Sequence, residues 1–126
     1  GIKALLVEDN NLNMEIAKYL LHDANIEVTE AYNGKEAVEL FVNNPAGTFD
    51  IILMDIMMPV LDGLKATQAI RALPREDART IPIFAMTANA FAEDVEQAKE
   101  AGMNEHLAKP LNIQQVLSKI ALYCGK

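Results

Sequence analysis

The chain has 126 residues, 51% of them hydrophobic and 23% charged, which fits one globular domain able to bury its own core. A net charge of -7 argues against direct nucleic-acid binding, which normally needs clustered Lys and Arg. No stretch approaches the roughly 20 apolar residues that span a bilayer and no signal peptide is visible; with the single cysteine, Cys124, this leads us to expect a cytoplasmic module without direct membrane contact.

The chain opens at Gly1-Ile2, almost directly in a strand and without an initiator methionine. A single domain over 1–126, excised from a longer chain, is therefore expected. Lys3-Ala4-Leu5-Leu6-Val7 is an apolar run ending in Glu8-Asp9 and predicts the first strand. Asn10 or Asn11 can cap a helix in which Leu12, Ile16, Leu20 and Ala24 recur at helical spacing. Glu27-Val28-Thr29-Glu30-Ala31 alternates polar and apolar residues, as a strand with one solvated face does, and so belongs at a sheet edge. Asn33-Gly34 is turn chemistry. A second helix follows from about Lys35 to Val42, with Ala37 and Phe41 one turn apart, until Asn43-Asn44-Pro45-Ala46-Gly47 breaks it.

Ile51-Ile52-Leu53-Met54-Asp55 reads as a strand buried on both faces that ends on a carboxylate. A loop through Pro59 leads to a helix from about Asp62, with Ala66, Ile70 and Leu73 inward. The charged run Pro74-Arg75-Glu76-Asp77-Ala78-Arg79 reads as a solvated connection. Ile81-Pro82-Ile83-Phe84-Ala85-Met86 is a fourth, apolar strand ending at Thr87, with Pro82 at its start, where a missing N–H does least harm. Phe91, Val95 and Ala98 mark the next helix, which Gly102 can terminate. A short strand from Glu105 to Ala108 runs into Lys109-Pro110. In the last helix Asn112 is the cap, and Ile113, Val116, Leu117 and Ile120 share one side.

Strand–helix repeated five times implies an α/β fold with a parallel sheet and helices on both faces. The first, third and fourth strands are apolar throughout and should be central, which matches the doubly wound, flavodoxin-like order 2-1-3-4-5.

In that order Glu8, Asp9 and Asp55 end adjacent strands about 4.8 Å apart. Like charges ~4 Å apart repel by about 4 kcal/mol at an effective dielectric near 20. Such a cluster calls for a raised carboxylate pKa or a cation, unless the acids simply lie in solvated turns. An all-oxygen site with few protein ligands suits Mg2+, which keeps several waters and shares phosphate oxygens; Mn2+ is the alternative ion. The fourth and fifth strands end at the same edge on Thr87 and Lys109. A hydroxyl and an ammonium beside carboxylates are the groups phosphoryl transfer uses, with Asp55 as the attacking group.

Glu8-Asp9, Asp55 followed by Met57 and Pro59, Asp62-Gly63, Thr87-Ala88 and Lys109-Pro110, taken in order, resemble the response-regulator receiver domain of two-component phosphorelays. The resemblance covers essentially the whole chain. It implies that Asp55 accepts a phosphoryl group from a phosphohistidine. Asp9, Asp55 and the backbone carbonyl of Met57 would hold Mg2+, with Glu8 acting partly through water. Thr87 and Lys109, with the backbone N–H groups of Met57 and Ala88, would bind the phosphoryl oxygens, and Lys109-Pro110 would be a cis peptide. Met86-Thr87-Ala88-Asn89-Ala90 and Ala101-Gly102-Met103-Asn104-Glu105-His106-Leu107 are similar to receivers of hybrid sensor histidine kinases. The implied partner is a histidine kinase or a histidine-phosphotransfer domain, and the parent a hybrid kinase, membrane-anchored or not.

The family usually places Tyr or Phe three residues before the lysine, as a switch acting with Thr87; here His106 stands there. His22 reads as solvated, and Gly63 as a residue of backbone geometry. Met14, Met57 and Met58 read either as a soft docking patch beside the crevice or as core. The competing enzymatic reading is an aspartyl-phosphate phosphatase of the haloacid-dehalogenase kind. It looks for a second acid two residues after the nucleophile, where this chain has Met57, and for a cap domain, for which there is no room. As an isolated domain the chain is expected to assist its own phosphorylation and dephosphorylation without turning over a substrate. A dimer through the last helix is compatible with the sequence but not required by it.

Overall fold

Five strands, β1 (Ile2–Val7), β2 (Ile26–Ala31), β3 (Ile51–Asp55), β4 (Ile83–Thr87) and β5 (Glu105–Ala108), pair in parallel in the order β2-β1-β3-β4-β5. The computed structural model describes residues 2–56, 62–87, 92–108 and 111–124, and the side chains of all of these except 92–94 and 124. Among the described residues, six helices connect or follow the strands: α1 (Asn11–Asp23), α2 (Gly34–Asn43), α3 (Gly63–Arg71), α4 (Glu76–Thr80), α5 (Ala92–Ala101) and α6 (Ile113–Cys124). Parallel neighbours require such crossovers.

Central strands are enclosed on both faces, which is why their sequences run apolar without alternation. Every residue of β3 and β4 is buried, whereas β2 at the edge alternates. Successive strand residues feed two cores. Leu5, Val7, Ile52 and Met54 pack with Ala37 and Phe41 of α2 and Ala66 and Ile70 of α3. Leu6, Leu53, Phe84 and Met86 pack on the other face with Met14 and Leu21 of α1 and Val116 and Ile120 of α6.

Asn10, one of the two caps expected for α1, and Asn112, expected for α6, cap those helices. The side chains of Asn10, Asn33 and Asp62 each accept a backbone N–H from the first turn of the helix they precede. Asn112 accepts from Gln114 and Gln115. Gly102, at φ +109°, ends α5: its N–H donates to the Lys99 carbonyl and that of Met103 to the Ala98 carbonyl. This paired closure needs the left-handed conformation at its centre.

Three expectations are corrected. First, α1 buries Met14, Ala17 and Leu21, while Leu12 and Ile16 lie exposed. Both sets recur at helical spacing, and packing of α1 on the sheet selects the former. Second, 74–79 is not merely a solvated connection. Arg75 grips Asp77 with two nitrogens, donates to the Phe41 carbonyl at 2.7 Å and lies over the Phe41 ring, 4.7 Å from its centroid. These contacts fold α4 and bury Ala78. Third, Pro82 precedes β4, which begins at Ile83. Phe91 lies outside the described residues, while Val95 and Ala98 fall on α5 as expected.

At the end of the sheet away from the acids, Arg71 acts as a clamp. Its guanidinium, half-buried, donates to the carbonyls of Gly102 and Ala78 and to the Asn104 side chain, which in turn accepts the Ile83 N–H. The bonds join α3, α4, β4 and the α5–β5 turn.

Candidate functional site

Strand register brings the acids together. Val7 lies opposite Met54 in the β1–β3 ladder, so the next residue on each strand, Glu8 and Asp55, leaves the sheet side by side. Glu8, Asp9 and Asp55 each offer a carboxylate oxygen, and these oxygens lie within 4.8 Å of one another. Burial divides the three: Glu8 is 2% and Asp55 3% accessible, while Asp9 is exposed at the mouth. Glu8 and Asp55 are thus enclosed to a similar degree. Further anchoring holds Glu8: its N–H donates to the Ala31 carbonyl at 3.0 Å, and its carboxylate accepts the Asn10 N–H at 3.2 Å. Asn10 thereby ties the site to the start of α1, a role that its identity as a cap does not reveal.

Two enclosed carboxylates and a third at the mouth concentrate negative charge that a cation would offset. The donors are hard oxygens, and the exposed side leaves room for coordinated water. That set fits Mg2+.

Asp55 lies opposite Met86 in the β3–β4 ladder, and Ile56 N–H donates to the Met86 carbonyl at 3.2 Å. Thr87, one residue beyond Met86, ends β4 as a buried residue at the same edge. In the β4–β5 ladder Thr87 lies opposite Ala108, and Ala85 opposite His106. His106 is half-buried and lines a groove of about 290 Å³ with Val95, Ala98, Lys99 and Tyr123.

Glu8, Asp9, Asp55 and Thr87 are thus placed at one edge of the sheet. Met57, Ala88, Lys109 and the Lys109-Pro110 peptide lie outside the described residues, as does Met58. Met14 is fully buried against the sheet and therefore core, not part of a docking patch. His22 is exposed, as expected.

The chain has parallels among known proteins. The family model of the response regulator receiver domain matches residues 4–121. The chain is 40% identical over 112 residues to hybrid signal transduction histidine kinase I of Dictyostelium discoideum, covering 87% of this chain and 6% of that protein. It is 43% identical over 122 residues to two-component system protein A of Emericella nidulans, covering 96% of this chain and 17% of that protein. The chain therefore spans a small part of these relatives. Among solved structures, the receiver domain of a Pseudomonas aeruginosa sensor histidine kinase, with a magnesium ion coordinated in its active site cleft, superposes with a TM-score of 0.88 at 39% identity, covering 100% of this chain and 99% of that one. A Saccharomyces cerevisiae response-regulator receiver, co-crystallised with its histidine phosphotransfer protein, gives 0.83 at 31% identity, covering 97% and 88%. With its sheet order, its acid cluster and a family match over nearly its whole length, this chain belongs to the response regulator receiver domain family.

Proposed function

We propose that this receiver domain takes a phosphoryl group onto the carboxylate of Asp55 from a phosphohistidine. The observation that carries the reading is the meeting of Glu8, Asp9 and Asp55 within 4.8 Å at the sheet edge where Thr87 ends the next strand. An Asp55 carboxylate oxygen attacks phosphorus, the P–N bond to the donor imidazole breaks, and its electron pair stays on the ring nitrogen. Asp55, Asp9 and the Met57 carbonyl would hold Mg2+, or Mn2+ in its place, with Glu8 acting partly through water. When bound, the cation offsets negative charge on the carboxylates and phosphoryl oxygens. Thr87 and Lys109 would receive the phosphoryl oxygens together with the N–H groups of Met57 and Ala88. Thr87 moving toward the phosphoryl group, with His106 following on β5, changes the β4–β5 face. The magnesium in the Pseudomonas aeruginosa relative's cleft supports the choice of ion.

The donor is a histidine kinase or a histidine-phosphotransfer domain, a reading supported by the co-crystallised yeast relative. To bring its imidazole to Asp55 it must pass the first turns of α1, which begin two residues after Asp9. There Leu12 (69% accessible), Ile16 (46%) and Tyr19 (72%) form an exposed apolar stripe that suits helix packing. The chain over 1–126 is one receiver module of a longer protein, and a hybrid histidine kinase suits the lengths of the relatives. No described helix is long and apolar enough to cross a membrane. With a single cysteine in the chain, the setting this reading takes is cytoplasmic. By itself the module promotes its own phosphorylation and dephosphorylation and turns over no separate substrate.

Brief exposure to acetyl phosphate with and without Mg2+, followed by intact mass, tests the assignment. One phosphoryl group should add only with the metal, and Asp55→Asn should abolish it. Labelling that survives Asp55→Asn, or repeated turnover of a phosphomonoester, overturns it.

A further inference from the structure

We infer that Gly63, the first residue of α3, is a positioning residue for the phosphoacceptor, because its lack of a side chain lets α3 sit directly against the peptide unit leaving Asp55. The inference rests on the assignment of Asp55 above. A Cβ at position 63 would lie 2.2 Å from the Asp55 carbonyl oxygen, 2.9 Å from the Ile56 Cα and 3.0 Å from the Asp55 carbonyl carbon. All three are backbone atoms, so no change of rotamer relieves the clash. Gly63 is not among the residues with positive φ. Space, rather than a left-handed conformation, is what demands glycine here.

The contact is held from both sides. Gly63 N–H donates to the Ile56 carbonyl at 3.0 Å, tying the start of α3 to the residue that follows Asp55. The Thr67 hydroxyl, fully buried, donates to the Gly63 carbonyl at 2.8 Å, and Asp62 caps the helix through the Lys65 N–H. Ala66 and Ile70 are fully buried and seat α3 on the sheet. An added methyl group must therefore lift α3 out of its seat or turn the Asp55–Ile56 peptide. Turning the peptide opens no core and loosens only the bond from the Ile56 N–H to the Met86 carbonyl, so it is the easier response, and it displaces the Asp55 carboxylate relative to Glu8 and Asp9. A misplacement of about 1 Å in such a constellation can cost 100-fold in rate.

The test compares Mg2+ affinity, followed by backbone amide NMR shifts, with thermal stability in EDTA. Gly63→Ala should weaken Mg2+ binding by about tenfold, the size typical of disturbed outer-shell support, and slow acetyl phosphate labelling in parallel. Ile70→Val, which loosens the same helix without touching Asp55, should lower the melting temperature and leave the Mg2+ affinity within about twofold of wild type. Wild-type affinity in Gly63→Ala, or an equal loss in Ile70→Val, overturns the inference. Should Gly63→Ala not fold, Thr67→Val carries the test by replacing the hydroxyl on the Gly63 carbonyl with a methyl group of similar size; unchanged Mg2+ affinity in that variant also overturns it. The two readings fail separately. A wild-type protein that does not label counts against Asp55, whereas labelling with an unaffected Gly63→Ala counts against Gly63 alone.

Discussion

Glu105, the first residue of β5, fastens its strand to α6. Its carboxylate accepts from the Lys119 ammonium at 2.9 Å and from the Tyr123 hydroxyl at 2.8 Å, and Tyr123 packs edge-on against Phe84 of β4. The Lys119 hydrogen bond, opposed by burial and aided by Tyr123, holds the Glu105 carboxyl below its ordinary value near 4.5. A depressed folded pKa contributes stability that is present above the unfolded value and lost as pH falls through the folded one. Both partners are about a quarter accessible, so solvent screens the pair. Glu105→Gln should cost about 0.5 kcal/mol at pH 7. The gap to wild type should begin to narrow as the pH drops through about 4.5 and close only below the depressed folded value, where Glu105 is uncharged in both states. Urea titrations at pH 7, 5 and 3 check this, and a gap that stays constant with pH would show that the charge is not what holds β5 to α6. The same strand carries His106, so the fastening bears on how freely the proposed switch residue can move.

Elements differ in how openly they announce themselves, and α1 is the instructive case. Its exposed stripe of Leu12, Ile16 and Tyr19 makes little contact with the core, so Leu12→Ser with Ile16→Ser should change stability by about 0.5 kcal/mol or less. Acetyl phosphate labelling of Asp55 should be unchanged, since that small donor needs no docking surface. Transfer from a phosphorylated histidine-phosphotransfer protein should slow by about tenfold, the effect of losing apolar anchors at an interface. Equal rates from both donors would place docking elsewhere. The central strands were legible because burial on both faces leaves an unbroken apolar run with a polar residue where the chain emerges; Asp55 and Thr87 are such residues. In α1 two apolar stripes share one helix, and only the sheet decides that Met14, Ala17 and Leu21 face inward. The helix α4 was illegible for a related reason. Its charged residues look solvated, and the partner that orders them, Phe41, lies 34 residues before Arg75. Gly63 could be recognised as a residue of backbone geometry, but not as one pressed on Asp55, because that contact exists only once α3 is seated.

For the whole molecule, the acid cluster sets folding against function. Two cores on the faces of one sheet supply the stability, while a chain of net charge -7 gathers three carboxylates at one edge. Repulsion between unit charges ~4 Å apart is about 4 kcal/mol at an effective dielectric near 20. Exposure of Asp9 and local hydrogen bonds reduce it, so replacing Asp55 by Asn should stabilise the metal-free protein by about 1 kcal/mol. A ligand that binds only the folded state adds RT ln(1 + [L]/Kd), about 2.7 kcal/mol at a hundred times Kd. Wild type should gain that increment from Mg2+, whereas Asp55→Asn, with one carboxylate fewer, should gain much less. The two proteins therefore exchange rank: the variant melts higher in EDTA, and the wild type melts higher in saturating Mg2+. Thermal unfolding of both in the two buffers checks this. A variant that is less stable in EDTA would mean that the Asp55 carboxylate is held by hydrogen bonds that outweigh its repulsion. An unchanged wild-type melting temperature on adding Mg2+ would remove the cation from the site. If the exchange is seen, the strain among Glu8, Asp9 and Asp55 is what the metal relieves, and metal binding and phosphoryl acceptance draw on one electrostatic imbalance.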